Sequence, residues 1–198
     1  MKPRELARRG PWTVPNLVTL LRLAMLPPFL YAIAAGRPRA ALVLFVVAGI
    51  SDGLDGYLAR VLDMRSAFGA ILDPIADKLL LMSSYIMLAV PVYTARVHIP
   101  VSLSILVISR DFLLLLVGLL IILTTSIRKF PATPLGKTNT VVQILTVAAV
   151  LCADVWPLPM PYVWVPFGAT AASTVISGFQ YVFRVARRIA EQERREAL

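Results

Sequence analysis

Six apolar runs, each near the length needed to cross a bilayer, constrain what this chain can fold into. They fall at about 15–35, 39–62, 69–93, 98–124, 138–156 and 162–185. A hydrocarbon core is crossed by about 20 residues of helix. Inside it every backbone N–H and C=O has to be paired within the segment, so runs of this length resolve into helices. Strong breakers separate them: Gly36-Arg37-Pro38, Asp63-Met64-Arg65-Ser66, the stretch from Pro91 to Arg96, residues 128–137 with Pro131 and Pro134, and the prolines 157, 159 and 161. Hydrophobic residues make up 58% of the chain and its mean hydropathy is +0.77, above the roughly 45–50% apolar content of soluble domains. The expected fold is all-α: a polytopic integral membrane protein of six transmembrane helices in a single domain, 1–198. Residues 2–10 are expected to form a short juxtamembrane helix within a segment 1–14, ahead of a helical core 15–185 and a basic tail 186–198. No signal-peptide pattern is present at the start, and no internal repeat is visible.

The net charge of +9 would point a soluble protein toward nucleic acid. Here topology and anionic lipid account for it, and no nucleic-acid partner is expected. With six spans both termini share one side. That side collects Lys2, Arg4, Arg8, Arg9, Arg60, Arg65, Arg128, Lys129, Lys137, Arg184, Arg187, Arg188, Arg194 and Arg195, against Arg37, Arg39 and Arg96 on the other. Fourteen against three places both termini in the cytoplasm, the bacterial inner membrane being the natural setting. A lone cysteine, Cys152, excludes an intrachain disulfide and a Cys-based zinc site. The lone histidine, His98, is read as opening the fourth helix.

Against this background four acids stand out: Asp52 and Asp55 near the end of the second run, Asp73 and Asp77 near the start of the third. A carboxylate inside a membrane costs about 2.5–3.5 kcal/mol on insertion scales. Asp52 and Asp55 share a helical face at i, i+3, and Asp73 and Asp77 share one at i, i+4. The second run heads inward and the third outward, so both pairs fall in the cytoplasmic half and are expected to face one cavity. Unpaired, such carboxylates repel and protonate. Divalent ions remove that penalty, and an all-oxygen set without Cys or His favours Mg²⁺ or Mn²⁺. Four Asp suffice for two ions, an arrangement suited to displacement at phosphorus. Gly56, Ala59 and Gly69 keep the neighbouring helix surface low, and Arg60 is one turn beyond Gly56, within reach of a phosphate. A cation- or proton-coupled transporter also uses buried acids. Such folds often show repeated halves with broken helices, and this chain shows none.

The string Asp52-x-x-Asp55-Gly56-x-x-Ala59-Arg60, eight residues, then Gly69-x-x-x-Asp73-x-x-x-Asp77, resembles the complete motif of the CDP-alcohol phosphotransferases at all eight fixed positions. The resemblance extends over nearly the whole chain and implies six helices with cytoplasmic termini. It implies a metal-dependent transfer of a phosphatidyl group from CDP-diacylglycerol to an alcohol, with release of CMP, in phospholipid biosynthesis. Asp52, Asp55, Asp73 and Asp77 would be metal ligands, with Asp77 also the general base that takes the acceptor's proton. Gly56, Ala59, Arg60 and Gly69 would hold the CDP moiety. The family's habit implies a homodimer.

Pro15-Asn16-x-x-Thr19-x-x-Arg22 puts Asn16, Thr19 and Arg22 on one face of the first helix. Capping by Asn16 and snorkelling by Arg22 would explain them structurally. The run resembles the start of family members that make phosphatidylglycerophosphate or cardiolipin, which implies that Asn16 and Thr19 line the nucleotide pocket. Arg110-Asp111 interrupts the fourth run, either as a local ion pair or with Arg110 turned to the cavity. Arg110 and Lys137 are the candidates for an acceptor phosphate. Lys78, next to Asp77, has no assigned role. DPIADK (73–78) and the N-terminal run resemble phosphatidylglycerophosphate synthases, which implies sn-glycerol 3-phosphate as acceptor. Arg110-Asp111 and Gly136-Lys137-Thr138-Asn139-Thr140 resemble cardiolipin synthases, for which the acceptor would be phosphatidylglycerol.

Overall fold

Glycine and proline set the first helix boundaries. In a computed structural model of the chain, the described residues are 14–61, 69–94, 96–124 and 134–196. Side chains are described for 17–51, 53, 72–73, 75–94, 96–117, 134–185 and 187. Helix α1 covers Val14–Ala34 and α2 covers Pro38–Val61. Gly36 adopts φ 62°, a left-handed conformation that glycine takes without Cβ strain. Its N–H donates to the Ile33 carbonyl at 3.0 Å and that of Arg37 to Ala32 at 2.9 Å. This is the Schellman pattern, which satisfies the last carbonyls of α1. Pro38 then opens α2 at the position where a missing N–H is harmless. The remaining helices are α3 (Gly69–Leu88), α4 (Val101–Thr124), α5 (Pro134–Val155) and α6 (Pro161–Glu196), with a 3₁₀ turn at Pro91–Tyr93. No strand occurs among the described residues.

These six helices follow the six apolar runs, with corrections at their ends. The third run ends as helix at Leu88, not at 93, and Pro91 explains why: it disfavours helical backbone just before it and starts the 3₁₀ turn instead. The fourth helix begins at Val101, so His98 does not open it but lies exposed in the irregular segment before Pro100. Helix α5 begins at Pro134, four residues earlier than expected, which puts Lys137 in its first turn. Helix α6 continues to Glu196 through most of the expected basic tail. The expected juxtamembrane helix at 2–10 lies outside the described residues. Among the described residues, two helices are long and apolar enough to cross a membrane, over Leu17–Ala34 and Pro134–Val155; Pro38–Ser51 is apolar but shorter.

The chain divides into two compact units, 1–98 with 147–158, and 99–146 with 159–198, the division falling inside α5. In the first unit α1 packs against both α2 and α3. Phe29 and Phe45 are buried and stack with ring centroids 5.9 Å apart. Asp154, nearly buried, accepts the backbone N–H of Arg96 at 3.0 Å and so ties down the segment that precedes α4. In the second unit α4 packs on α6. A polar seam joins α5 to α6: Thr146 and Thr170 share a hydrogen bond of 2.7 Å, and Asn139 Oδ1 accepts from Ser173 at 2.7 Å and Thr174 at 3.0 Å. Small hydroxyls let the two backbones approach and bond side chains across the gap. The outward faces are apolar instead of charged, with Val43, Ile50, Leu115, Leu145, Val165 and Phe183 all exposed, far more apolar surface than a soluble monomer tolerates. Trp156, Tyr162 and Trp164 are also exposed, as an interfacial belt requires. Replacing Phe29 by Ala removes the aromatic pair and is expected to cost about 3–5 kcal/mol. Thermal unfolding in detergent checks this, with exposed Tyr31→Ala as the control that leaves the midpoint near wild type.

Candidate active site

The acidic residues of α3 are held from α1. Thr19 and Arg22 are separated by one turn of α1, Asp73 and Asp77 by one turn of α3. Thr19 Oγ1 donates to Asp73 Oδ1 at 2.5 Å. Arg22 Nη1 donates to Asp77 Oδ1, also at 2.5 Å, and forms an ion pair with it. Residue numbers rise together across the two rungs, so α1 and α3 run in the same direction. The three-residue Gly36 turn reverses the chain between α1 and α2. In the first unit the end of α2 that carries Asp52 and Asp55 is therefore the end at which α3 carries Asp73 and Asp77.

Burial separates the partners by role. Thr19 is fully buried and the Arg22 side chain is 1% exposed, whereas the Asp77 side chain is 39% exposed. Asp73 is half-buried. The α1 residues thus lie behind the carboxylates and the carboxylates face outward. Carboxylate oxygens anchored from behind and open in front form a donor set that fits a hard divalent ion. A Cβ on Gly53 would meet no atom within 4 Å.

Several of the residues singled out by sequence lie on these helices. The backbone of α2 carries Asp52, Asp55, Gly56, Ala59 and Arg60, that of α3 begins at Gly69, and Asn16 lies in the first turn of α1; their side chains are outside the described residues. Thr19, expected to line a nucleotide pocket, has its hydroxyl on Asp73. Arg22, for which snorkelling was the structural expectation, is buried and paired. The pairing signal in the sequence is the helical spacing of Thr19 and Arg22 matching that of Asp73 and Asp77, legible only once α1 is known to lie on α3. Lys78 is half-buried.

In the second unit Arg110 Nη1 bonds Asp111 Oδ1 at 2.7 Å, with the two side chains 10% and 1% exposed. The local ion pair is therefore formed: the guanidinium reaches back over its neighbour, although adjacent helical positions point apart. Arg110 Nε remains without a hydrogen-bond partner. The same side chain borders a groove of about 350 Å³ between α4 and α6, walled by Leu106, Leu113, Val175, Phe179 and Val182. Lys137 is exposed at the start of α5.

Known proteins are similar to this chain in sequence. A profile of the CDP-alcohol phosphatidyltransferase family matches residues 12–182, across both units. A cardiolipin synthase (CMP-forming) of Rattus norvegicus is 34% identical over 189 residues, covering 87% of this chain and 61% of that protein. The chain thus spans about three-fifths of the length of the rat and human cardiolipin synthases it matches. A CDP-diacylglycerol--glycerol-3-phosphate 3-phosphatidyltransferase of Bacillus subtilis is 35% identical over 190 residues, covering 86% of this chain and 93% of that protein. A probable phosphatidylglycerophosphate synthase of Mycobacterium tuberculosis is 36% identical over 182 residues, 88% of this chain and 82% of that protein. With its eight motif positions intact inside the matched region, the chain belongs to the CDP-alcohol phosphatidyltransferase family.

Proposed function

We propose that this protein is an integral membrane enzyme of phospholipid biosynthesis that moves a phosphatidyl group from CDP-diacylglycerol to an alcohol and releases CMP. The observation that carries the reading is the complete Asp52–Asp77 motif within a match that runs over most of the chain. Six spans with both termini cytoplasmic accommodate the apolar outer faces and the fourteen-to-three asymmetry of basic residues. The active site then opens to the cytoplasm, and the enzyme works as a homodimer.

Asp52, Asp55, Asp73 and Asp77 would hold two Mg²⁺ or Mn²⁺ ions. Bound there, the ions supply the positive charge that offsets the pyrophosphate and the leaving CMP. Gly56, Ala59 and Gly69 admit the CDP moiety close to the helix backbone, with Asn16 and Arg60 as its polar contacts. Asp77 accepts the proton of the acceptor hydroxyl. The freed oxygen forms a bond to the β-phosphorus, the bond from that phosphorus to the bridging oxygen breaks, and CMP departs with the electron pair. Arg110 and Lys137 are assigned to the phosphate of the acceptor.

The acceptor that best fits is sn-glycerol 3-phosphate, because the similarity to the Bacillus subtilis enzyme named for that substrate spans 93% of its length. A second reading has a specific observation behind it. Arg110 stands in an apolar groove, and apolar walls around one guanidinium suit a lipid phosphate such as that of phosphatidylglycerol. Purified protein given CDP-diacylglycerol and either acceptor, with CMP followed, separates the two. Release with glycerol 3-phosphate is expected. Release with phosphatidylglycerol alone would reassign the acceptor, and release with neither would overturn both acceptor assignments.

A further inference from the structure

We propose that Thr19 and Arg22 serve the reaction as positioning residues, acting through Asp73 and Asp77 and not by touching the nucleotide. The inference rests on the metal-site reading of the four aspartates and adds the part that α1 plays in it. Each rung engages one oxygen of its aspartate and so restricts where that carboxylate sits. The two rungs act on the only two motif acids of α3, and both come from one face of α1.

Burial argues against a surface role. Thr19 has no exposed area with which to meet a ligand, and Arg22 has almost none. Stability is a weak reason to keep such a pair, because burying a guanidinium forfeits hydration that the ion pair restores only in part. Orientation of a catalytic carboxylate is a better one. Groups standing behind metal ligands set ligand geometry, and their loss typically weakens metal affinity about 10–100-fold.

Thr19→Val keeps the shape and removes the donor, and Thr19→Ser restores the donor. The readout is Mn²⁺ binding to the full-length purified protein, measured by electron paramagnetic resonance without nucleotide or turnover. We expect Thr19→Val to bind Mn²⁺ about ten-fold more weakly or worse, Thr19→Ser to stay close to wild type, and KM for CDP-diacylglycerol at saturating Mn²⁺ to be the same in all three. Arg22→Lys retains the charge but not the planar fork, and is expected to weaken Mn²⁺ as well. It carries the test on its own should the valine variant not fold. Unchanged Mn²⁺ affinity together with a raised KM for CDP-diacylglycerol would overturn the proposal and return Thr19 to the nucleotide. Wild-type protein that binds no Mn²⁺ would sink the metal reading itself, and the positioning role with it.

Discussion

Asp77→Asn is expected to lower CMP release by about 100- to 10,000-fold at saturating substrates, the usual contribution of a positioned general base. The substitution preserves shape and keeps an oxygen that can accept from Arg22. It removes the negative charge and the basicity. Asp77 suits the role on geometry. Its side chain is 39% exposed, so an acceptor hydroxyl can reach it, and its Oδ1 is bonded by Arg22, which restricts its orientation before the acceptor arrives. Arg22 in turn loses its ion pair with Asp77, and breaking a buried ion pair from one side is destabilising. The assay is therefore paired with gel filtration and thermal unfolding, and the rate is compared only between samples that elute alike. Full transferase activity in a folded Asp77→Asn protein would remove Asp77 from the base role.

Helix order was legible because the apolar runs are long and the breakers between them have physical force. Gly36 and Pro38 together end one helix and start the next, the first through a left-handed φ and the second through a preset one. Boundaries were missed where an apolar residue sits next to a proline. Ala89 and Val90 look like more of α3, yet Pro91 draws the backbone out of the helix before them. Ile99 likewise looks helical and is buried, while α4 starts only after Pro100.

The acidic site was legible as a set of residue types at fixed spacing, since helical periodicity alone puts Asp73 and Asp77 on one face. Its support was not. Thr19 lies 54 positions from Asp73 and Arg22 lies 55 from Asp77, and nothing in local sequence says which of the neighbouring helices α3 will meet there. Arg110 shows the opposite limit. Spacing rules argued that it and Asp111 would point apart, but a long side chain can fold back along its own helix, and the pair forms.

Removal of divalent ions is expected to abolish CMP release, and Mg²⁺ or Mn²⁺ to restore it. A chelator cannot touch the covalent protein, so the effect tests the proposed donor set directly. Four aspartates within one half of two helices repel one another. Arg22 offsets Asp77 in part. Thr19 brings a dipole to Asp73 and no charge. The excess negative charge that remains calls for cations, and oxygen-only donors select hard ones. Binding also has a consequence for stability that activity does not report. An ion present at 100 times its dissociation constant stabilises the native state by about 2.7 kcal/mol. Chelated wild-type protein should thus melt earlier than protein with Mn²⁺, and Asp73→Asn, which removes one ligand and leaves the Thr19 hydroxyl an oxygen to bond, should lose most of that difference. Thermal scans of both proteins with and without Mn²⁺ measure it. Equal melting of wild type in the two conditions, with activity intact in chelator, would mean that the aspartates do their work without a metal.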